Sequence, residues 1–243
     1  MSIPNTTSYS SISQQSSILY TTAQRQGDKD TQEDFVDHYQ DECFVVTDGY
    51  SGLPNGATAS ELACQTSIWG YKHIRQRPFY WADKSKLMHR IFRSTNIALW
   101  QKRREKGYEN GLASTLAVVI IGAHKMWVGT VGDTGIYLFR EGLIDVMTPL
   151  DMDEQGRLTN ALGVRRYGLV PHQNIEKLLS GDSILIASDG VMNAISEDEL
   201  RTVFEVAGET EQSLSFAIDH LLETARANGS TENMTACLIK KRL

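Results

Sequence analysis

The spacing of hydrophobic residues predicts strands and helices in alternating blocks. Short apolar runs, typical of buried strands, occur at residues 18–24, 43–47, 115–121, 125–131, 136–140, 143–147, 183–187 and 235–239. Apolar residues on one face at helical spacing predict helices at residues 59–69, where Trp69 belongs to the apolar face, and at residues 87–99. Two more helices are predicted before the last strand, one opened by a capping box at residues 196–199 and one at residues 214–225.

Short links join the four strands predicted between residues 115 and 147, and the last link is only Glu141-Gly142. Links of this length connect antiparallel neighbours, so we expect these four strands to pair in sequence. Antiparallel strands with helices in paired groups indicate an α+β fold. We expect a four-layer α-β-β-α sandwich, in which two mostly antiparallel sheets are flanked by helices.

The length and charge limit the classes of protein to which this chain can belong. A chain of 243 residues fits one domain, which we expect over residues 18–243. Residues 1–17 contain seven serines and no charged side chain, and they predict a flexible polar tail. The net charge of −6 argues against a nucleic-acid partner or an anionic membrane. The longest apolar run has six residues, whereas a membrane span needs about 20.

The cysteines and the amino terminus indicate the compartment. Cys43, Cys64 and Cys237 are far apart in the sequence and form no C-x-x-C motif. We expect them to be small buried hydrophobic residues in a reducing compartment. The first residues lack the basic start and apolar stretch of a secretory signal. A cytoplasmic location is therefore expected.

Acidic residues stand at the ends of the predicted buried strands. They are Asp48, Asp133 and Asp189 at carboxyl ends, with Glu33, Asp34 and Glu232 beside further apolar segments. A single Asp-Gly pair is most often only a turn. However, neither Asp48-Gly49 nor Asp189-Gly190 is followed by an immediate return strand. If these ends converge, the carboxylates repel one another unless a cation neutralises them, and oxygen ligands suit Mg²⁺ or Mn²⁺.

Seven short segments carry a resemblance to a known family. They are Glu33-Asp34, Asp48-Gly49, Ser114-Thr115-Leu116-Ala117, Gly132-Asp133, Ala161-Leu162-Gly163, Ser188-Asp189-Gly190 and Asn233-Met234-Thr235. In this order they resemble the motifs of the metal-dependent Ser/Thr protein phosphatases of type 2C, from about residue 20 to the carboxyl terminus. The resemblance implies a β-sandwich flanked by helices, with a two-metal centre in a cleft at one end. The small size resembles the minimal catalytic domains of bacterial members.

The resemblance also implies roles for individual residues. Asp34, Asp48 and Asp189 would be catalytic, Lys29 would bind phosphate, and the metal ligands would be Glu33, Asp34, Asp48, the Gly49 carbonyl, Asp133, Asp189 and Glu232. Two Mn²⁺ or Mg²⁺ ions, with a third held more weakly, would activate a water that hydrolyses phosphoserine or phosphothreonine in proteins. Such an enzyme would act in signalling on phosphorylated proteins, opposed by a Ser/Thr kinase, as a cytoplasmic monomer.

Four features depart from the family pattern. Lys29 replaces the usual arginine, and Glu232 replaces the usual aspartate of the last motif. Tyr50 stands where animal members have histidine, so the general acid is not identified. The segment between residues 149 and 159 is short, which predicts a shortened flap. Lys29 and Glu232 support an alternative, a weak or inactive pseudophosphatase that binds phosphoproteins as a regulator.

Two other motifs have weaker interpretations. Asp151-Met152-Asp153 resembles the D-x-D motif of haloacid-dehalogenase phosphatases, but Gln155 stands where that class needs Thr or Val. An acidic surface loop is the preferred interpretation. The basic run at residues 102–106 is typical of a solvated helix end. Docking of an acidic or phosphorylated partner is the alternative for this run.

The replacement at Lys29 gives a first testable prediction. Lysine supplies charge but not the planar fork with which arginine binds phosphate. Lys29→Arg is therefore expected to lower the KM for a phosphopeptide, as measured by steady-state phosphate release. An unchanged or higher KM would contradict a phosphate-binding role for this position.

Overall fold

The computed structural model describes residues 6–8, 17–50, 52–76 and 83–243. Its strands are β1 (Thr6–Ser8), β2 (Ile18–Arg25), β3 (Asp34–Tyr39), β4 (Cys43–Asp48), β5 (Leu116–Ile121), β6 (Lys125–Val131), β7 (Gly135–Arg140), β8 (Leu143–Val146), β9 (His172–Lys177), β10 (Ser183–Ala187) and β11 (Met234–Lys241). Its helices are α1 (Gly56–Arg75), α2 (Lys84–Lys102), α3 (Asp189–Met192), α4 (Glu197–Val206) and α5 (Glu211–Ala227). No helix within these ranges is long and apolar enough to span a membrane.

The strands form two sheets, and the predicted α+β sandwich is confirmed. One sheet has six strands in the order β1-β2-β11-β10-β7-β8, and the other has five in the order β3-β4-β5-β6-β9. Each strand pairing is antiparallel. Helices α4 and α5 cover the six-stranded sheet, whereas α1 and α2 cover the five-stranded sheet. A third apolar layer fills the space between the sheets.

The central strands are apolar on both faces because each face is covered. Along β5, Leu116, Val118 and Ile120 pack with the residues of α1 and α2. The intervening residues, Ala117 and Val119, pack against the other sheet. Side chains alternate between the two faces of a strand, so a strand between two apolar layers needs a continuous apolar run.

The expectation that the strands between residues 115 and 147 all pair in sequence is wrong at one link. β5 pairs with β6 and β7 with β8, but β6 and β7 belong to different sheets. Gly132, Asp133 and Thr134 carry the chain from one sheet to the other. Gly132 has a φ of 98°, a conformation that glycine adopts without strain, and this opens the crossing. A short link can therefore connect layers as well as neighbours.

Strands β3 and β9 were not predicted from the hydrophobic pattern. Both lie at edges of the five-stranded sheet. Their sequences, DFVDHY and HQNIEK, are largely polar and mostly partly exposed or exposed. An edge strand with an open face needs few apolar side chains, so its sequence lacks the signal that identified the central strands.

The amino-terminal segment and Trp69 differ from what the sequence predicted. The structure places β1, paired with β2, inside the segment predicted to be a polar tail, while residues 1–5 and 9–16 lie outside the described residues. Trp69, expected on the buried face of α1, is 61% exposed and stacks on His73. The three cysteines are buried and unpaired, as expected.

Candidate metal centre

The β3–β4 hairpin places two aspartates opposite each other. Asp34 begins β3, Asp48 ends β4, and the two residues are direct cross-strand partners. Opposite residues of antiparallel strands have Cβ atoms about 4.5–5.5 Å apart. The amide of Gly49 donates to the carbonyl of Glu33 at 2.9 Å and extends the ladder past the strand ends. The hairpin therefore brings the first two acidic motifs together.

Ser114 and Thr115 fix the backbone of Asp48. The Thr115 hydroxyl accepts the Asp48 amide at 2.9 Å, and the Thr115 amide donates to the Asp48 carbonyl at 2.8 Å. The Ser114 hydroxyl donates to the same carbonyl at 3.0 Å. Because these residues open β5, the centre of the sheet holds Asp48 in position.

Asp133 reaches the centre on the crossing between the sheets. Asp151 supports this crossing, since its Oδ2 accepts the Gly132 amide at 2.9 Å. Asp151 Oδ1 also lies 2.8 Å from His172 Nε2. The interpretation of Asp151 as part of an acidic surface loop is therefore incomplete, because this carboxylate ties the segment after β8 to the crossing.

Asp189 comes from the six-stranded sheet, at the point where β10 leads into the short helix α3. The preceding residue links the sheets: the Ser188 hydroxyl donates to Asp34 Oδ2 at 2.9 Å and accepts the Thr235 amide at 3.0 Å. Gln24 adds a second link, since its Nε2 donates to the Asp34 carbonyl at 3.1 Å. These bonds hold the ends of the two sheets together.

The glycines of the two Asp-Gly motifs are required by close packing and not by a turn. Neither Gly49 nor Gly190 has a positive φ. A Cβ on Gly49 would lie 2.2 Å from the Gly56 carbonyl oxygen, at the start of α1. A Cβ on Gly190 would lie 2.1 Å from the Asn233 carbonyl oxygen. The turn interpretation of these motifs is therefore wrong, because each glycine lets two backbones approach beside an aspartate.

The aspartates interact strongly with one another. Burial raises the pKa of Asp34 to about 7. Burial and the charges of Asp34 and Asp189 raise the pKa of Asp48 well above its usual range. Burial, with the charge of Asp189, raises the pKa of Asp133 to about 6. The four predicted aspartates thus share one electrostatic environment that opposes their combined negative charge.

An oxygen-binding cation fits this environment. Asp34 Oδ1 is buried and has no hydrogen-bond partner among the described residues. An unsatisfied carboxylate oxygen amid other carboxylates matches the ligand preference of Mg²⁺ and Mn²⁺. As the side chains stand in residues 17–50, 52–76 and 83–243, however, no three His, Cys, Asp or Glu groups meet the geometry of a metal site.

The two predicted glutamate ligands bind Lys29. Its Nζ lies 2.6 Å from Glu232 Oε2 and 3.4 Å from Glu33 Oε2. Burial opposes the charge of Lys29, but the hydrogen bond and charge of Glu232 outweigh this effect and raise its pKa. Asn233 holds the loop in place, since its Oδ1 accepts the Gly27 amide at 2.9 Å. A cation that uses Oε2 of either glutamate competes with Lys29 for that oxygen.

A cavity of about 410 Å³ is lined in part by Ala113, which directly precedes Ser114 in the chain. Tyr50, directly after Gly49, forms part of its wall and is 42% exposed. Residues 158–169, from the connection between β8 and β9, form much of the opposite wall. This connection covers residues 147–171 and contains no helix or named strand.

Sequence reasoning missed the residues that position the aspartates. Ser188 and Asp151 bind the site through side-chain contacts between segments far apart in the chain. The sequence did contain a signal for Ser188, because this residue stands directly before Asp189 in the segment Ser188-Asp189-Gly190. Asp151 had none, since its contact depends on how the segment after β8 folds back.

Comparisons with known proteins agree with this architecture. The model of the family described as Protein phosphatase 2C matches residues 23–238. A "Serine/threonine phosphatase stp" of Listeria welshimeri is 22% identical over 82% of this chain and 84% of its own length. "Probable protein phosphatase 2C 76" of Arabidopsis thaliana is 22% identical over 89% of this chain, which spans only 57% of that plant protein.

The fold is also that of solved phosphatases. The catalytic domain of the serine/threonine protein phosphatase PstP, solved in complex with two manganese ions, superposes with a TM-score of 0.75 and 21% identity. The match covers 92% of this chain and 97% of that one. This protein thus shares the four-layer sandwich fold of that phosphatase. The family match over nearly the whole chain shows that it belongs to the protein phosphatase 2C family.

The raised pKa values predict how pH affects the stability of the metal-free protein. Asp34 (about 7) and Asp133 (about 6) have higher pKa values when folded than the ordinary 3.8. Their contribution to stability is therefore full below about pH 4 and is lost as the pH rises through 6 and 7. In EDTA, the Tm is expected to fall by at least about 3 °C between pH 5 and pH 8.

Two variants and added Mn²⁺ test the cause of this fall. Asp34→Asn is expected to flatten the dependence of Tm on pH, whereas Asp145→Asn, on the exposed edge strand β8, is expected to leave it unchanged. Mn²⁺ is expected to raise the Tm more at pH 8 than at pH 5, because it binds ionised carboxylates. An identical slope in Asp34→Asn and the unaltered protein would contradict the assignment.

Proposed function

We propose that this family member hydrolyses phosphoserine and phosphothreonine in proteins with two Mn²⁺ or Mg²⁺ ions bound at the aspartate cluster and a third held more weakly. The observation that carries the proposal is that Asp34, with its unsatisfied Oδ1, faces Asp48 across one hairpin, while Asp189 from the other sheet acts electrostatically on Asp48. A cytoplasmic location, an opposing Ser/Thr kinase and a monomeric state belong to the same proposal.

The proposed ligands are Asp34, Asp48, the Gly49 carbonyl, Asp133, Asp189, Glu33 and Glu232. When bound, two such ions lower the pKa of a water and neutralise phosphoryl oxygens. The protein's part is to hold the ligands in place. The Thr115 and Ser114 contacts fix the Asp48 backbone, while the Ser188 hydroxyl occupies one Asp34 oxygen and leaves the other to orient a water or an ion.

Lys29 is the proposed phosphate-binding residue. Its ammonium lies between Glu33 and Glu232, and Glu33 directly precedes Asp34 in the chain. A side chain with three donors can keep one carboxylate contact and still donate to a phosphoryl oxygen. The loop that carries it is fixed by the Asn233 contacts to Gly27 and to the Thr31 carbonyl.

One observation favours the alternative of a phosphoprotein-binding pseudophosphatase. The 2.6 Å contact with Lys29 engages the Glu232 carboxylate, and a longer side chain at this position changes where that carboxylate can reach. A protein that cannot release Glu232 from Lys29 would bind phosphate without turnover.

Phosphate release from a phosphothreonine peptide, with Mn²⁺ titrated against EDTA, tests the proposal. We expect turnover that requires metal and stops in EDTA. Asp189→Asn is expected to reduce kcat/KM by about a hundredfold or more, as expected when an electrostatic contact in the centre is lost. Asp145→Asn serves as the matched control and is expected to keep full activity. A folded protein that releases no phosphate at millimolar Mn²⁺ would favour the pseudophosphatase.

The ion pair of Lys29 predicts opposite effects on metal and on phosphate. Lys29→Met removes a positive charge and frees two carboxylates, so Mn²⁺ affinity is expected to rise about fivefold, as measured by calorimetry. The KM for the phosphopeptide is expected to rise as well, because the phosphate loses a donor. Lys72→Met, an exposed position on α1, is the control and is expected to change neither. Weaker Mn²⁺ binding in Lys29→Met would contradict competition between Lys29 and the metal.

A further inference from the structure

Four arginines gather where the end of α2 meets the connection between β8 and β9. Arg103 and Arg104 follow α2, while Arg165 and Arg166 lie in the connection between β8 and β9. We call these four residues the arginine cluster. Arg103 and Arg165 line the cavity of about 410 Å³. Because the chain as a whole carries a net charge of −6, the cluster is a local reversal of its charge.

The cavity adjoins the residues that hold Asp48. Its wall contains Tyr50, whose Cα is about 3.8 Å from that of Gly49. Ala113, in the same wall, accepts the Tyr50 amide at 3.0 Å and directly precedes Ser114. A peptide that presents its phosphorylated side chain to the aspartates would therefore have neighbouring residues at this cavity.

Hydrogen bonds hold the backbone of the cluster in place. Asn96, buried on α2, accepts the Gly163 amide at 2.9 Å and donates to the Arg165 carbonyl at 2.9 Å. Arg103 Nη1 donates to the carbonyls of Gly163 and Val164 at 3.2 and 3.0 Å. A surface already fixed in this way avoids much of the ordering cost of binding.

Carboxylates do not neutralise these arginines. Within the described ranges, no Asp or Glu forms an ion pair with a member of the cluster, although Arg140 pairs with Asp182 at 2.8 Å. Arg104 and Arg166 both lie over the Trp100 ring, each 4.9 Å from its centroid. Stacking occupies the flat faces of these two guanidinium groups and leaves N–H groups at their edges to bind an acid.

We infer that the arginine cluster binds acidic side chains next to the phosphorylated residue of a protein substrate, so that the enzyme prefers sites flanked by Asp or Glu. This inference rests on the proposed function and names its substrate class. Arginine binds carboxylates through two parallel hydrogen bonds. Val164, Tyr167 and Val170 are exposed around the cluster and add apolar contact, a composition typical of protein interfaces.

Three phosphothreonine peptides of equal length test the inference, with Asp, Asn or Lys at the positions flanking the phosphothreonine. In Mn²⁺, kcat/KM is expected to be about fivefold higher for the Asp peptide than for the Asn peptide, and lowest for the Lys peptide. Arg165→Glu is expected to remove or reverse this preference, with Arg165→Gln between. Lys72→Glu makes the same change of charge about 24 Å along α1 from Gly56 and is expected to retain the preference.

Measuring peptide binding as well as turnover distinguishes a failure of this inference from a failure of the proposed function. Equal kcat/KM for the three peptides would overturn the inference and leave the phosphatase activity standing. If no peptide releases phosphate, the proposed function fails, and fluorescence anisotropy in EDTA decides the inference. Tighter binding of the Asp peptide than of the Asn peptide, weakened by added salt and lost in Arg165→Glu, would support the cluster as the docking site. Equal affinities, or a preference kept by Arg165→Glu, would overturn it.

Discussion

Repulsion among buried carboxylates is the constraint around which this structure is organised. Asp34 and Asp48 face each other across one hairpin, and Asp189 joins them from the other sheet. Without a cation, burial and the neighbouring charges raise the pKa values of Asp34 and Asp48. The surrounding contacts keep the groups in place despite this cost: Ser188 binds Asp34, and Thr115 binds the Asp48 backbone. The stability lost here favours ion binding, because a cation relieves the same repulsion.

The hydrophobic pattern predicted the layers well because the central strands are covered on both faces. Residues 43–47 and 183–187 lie in β4 and β10 as expected, and β5 contains all of residues 115–121 except the first. The hydrophobic pattern did not predict elements that are only partly buried, because such elements need few apolar side chains. β3 and β9 are polar edge strands, and the crossing from β6 to β7 has a length that also suits a hairpin. Trp69 illustrates the opposite error, since a large apolar side chain on the expected face lies on the surface.

The candidate site was predictable where its residues follow strand ends, as with Asp48 and Asp189. Its supporting contacts were not predictable in the same way. Asp151 reaches Gly132 only because the segment after β8 folds back on the crossing. The ion pair between Glu232 and Lys29 could not be predicted from the sequence either, because it depends on a loop that Asn233 holds in place. Two of the four departures from the family pattern, Lys29 and Glu232, are thus in contact with each other, and we expect their effects to be non-additive.

The crossing between β6 and β7 couples the acidic centre to the interior of the sandwich. Asp133 is the middle residue of the three-residue link between β6 and β7, and these two strands belong to different sheets. Its distance from Asp48 therefore depends on how the sheets stack, which the apolar layer around Val119, Ile184 and Ile186 controls. Packing between the sheets therefore determines the distances between the proposed ligands. Residues far from any ion would in this way tune ion affinity through the thickness of the core between the sheets.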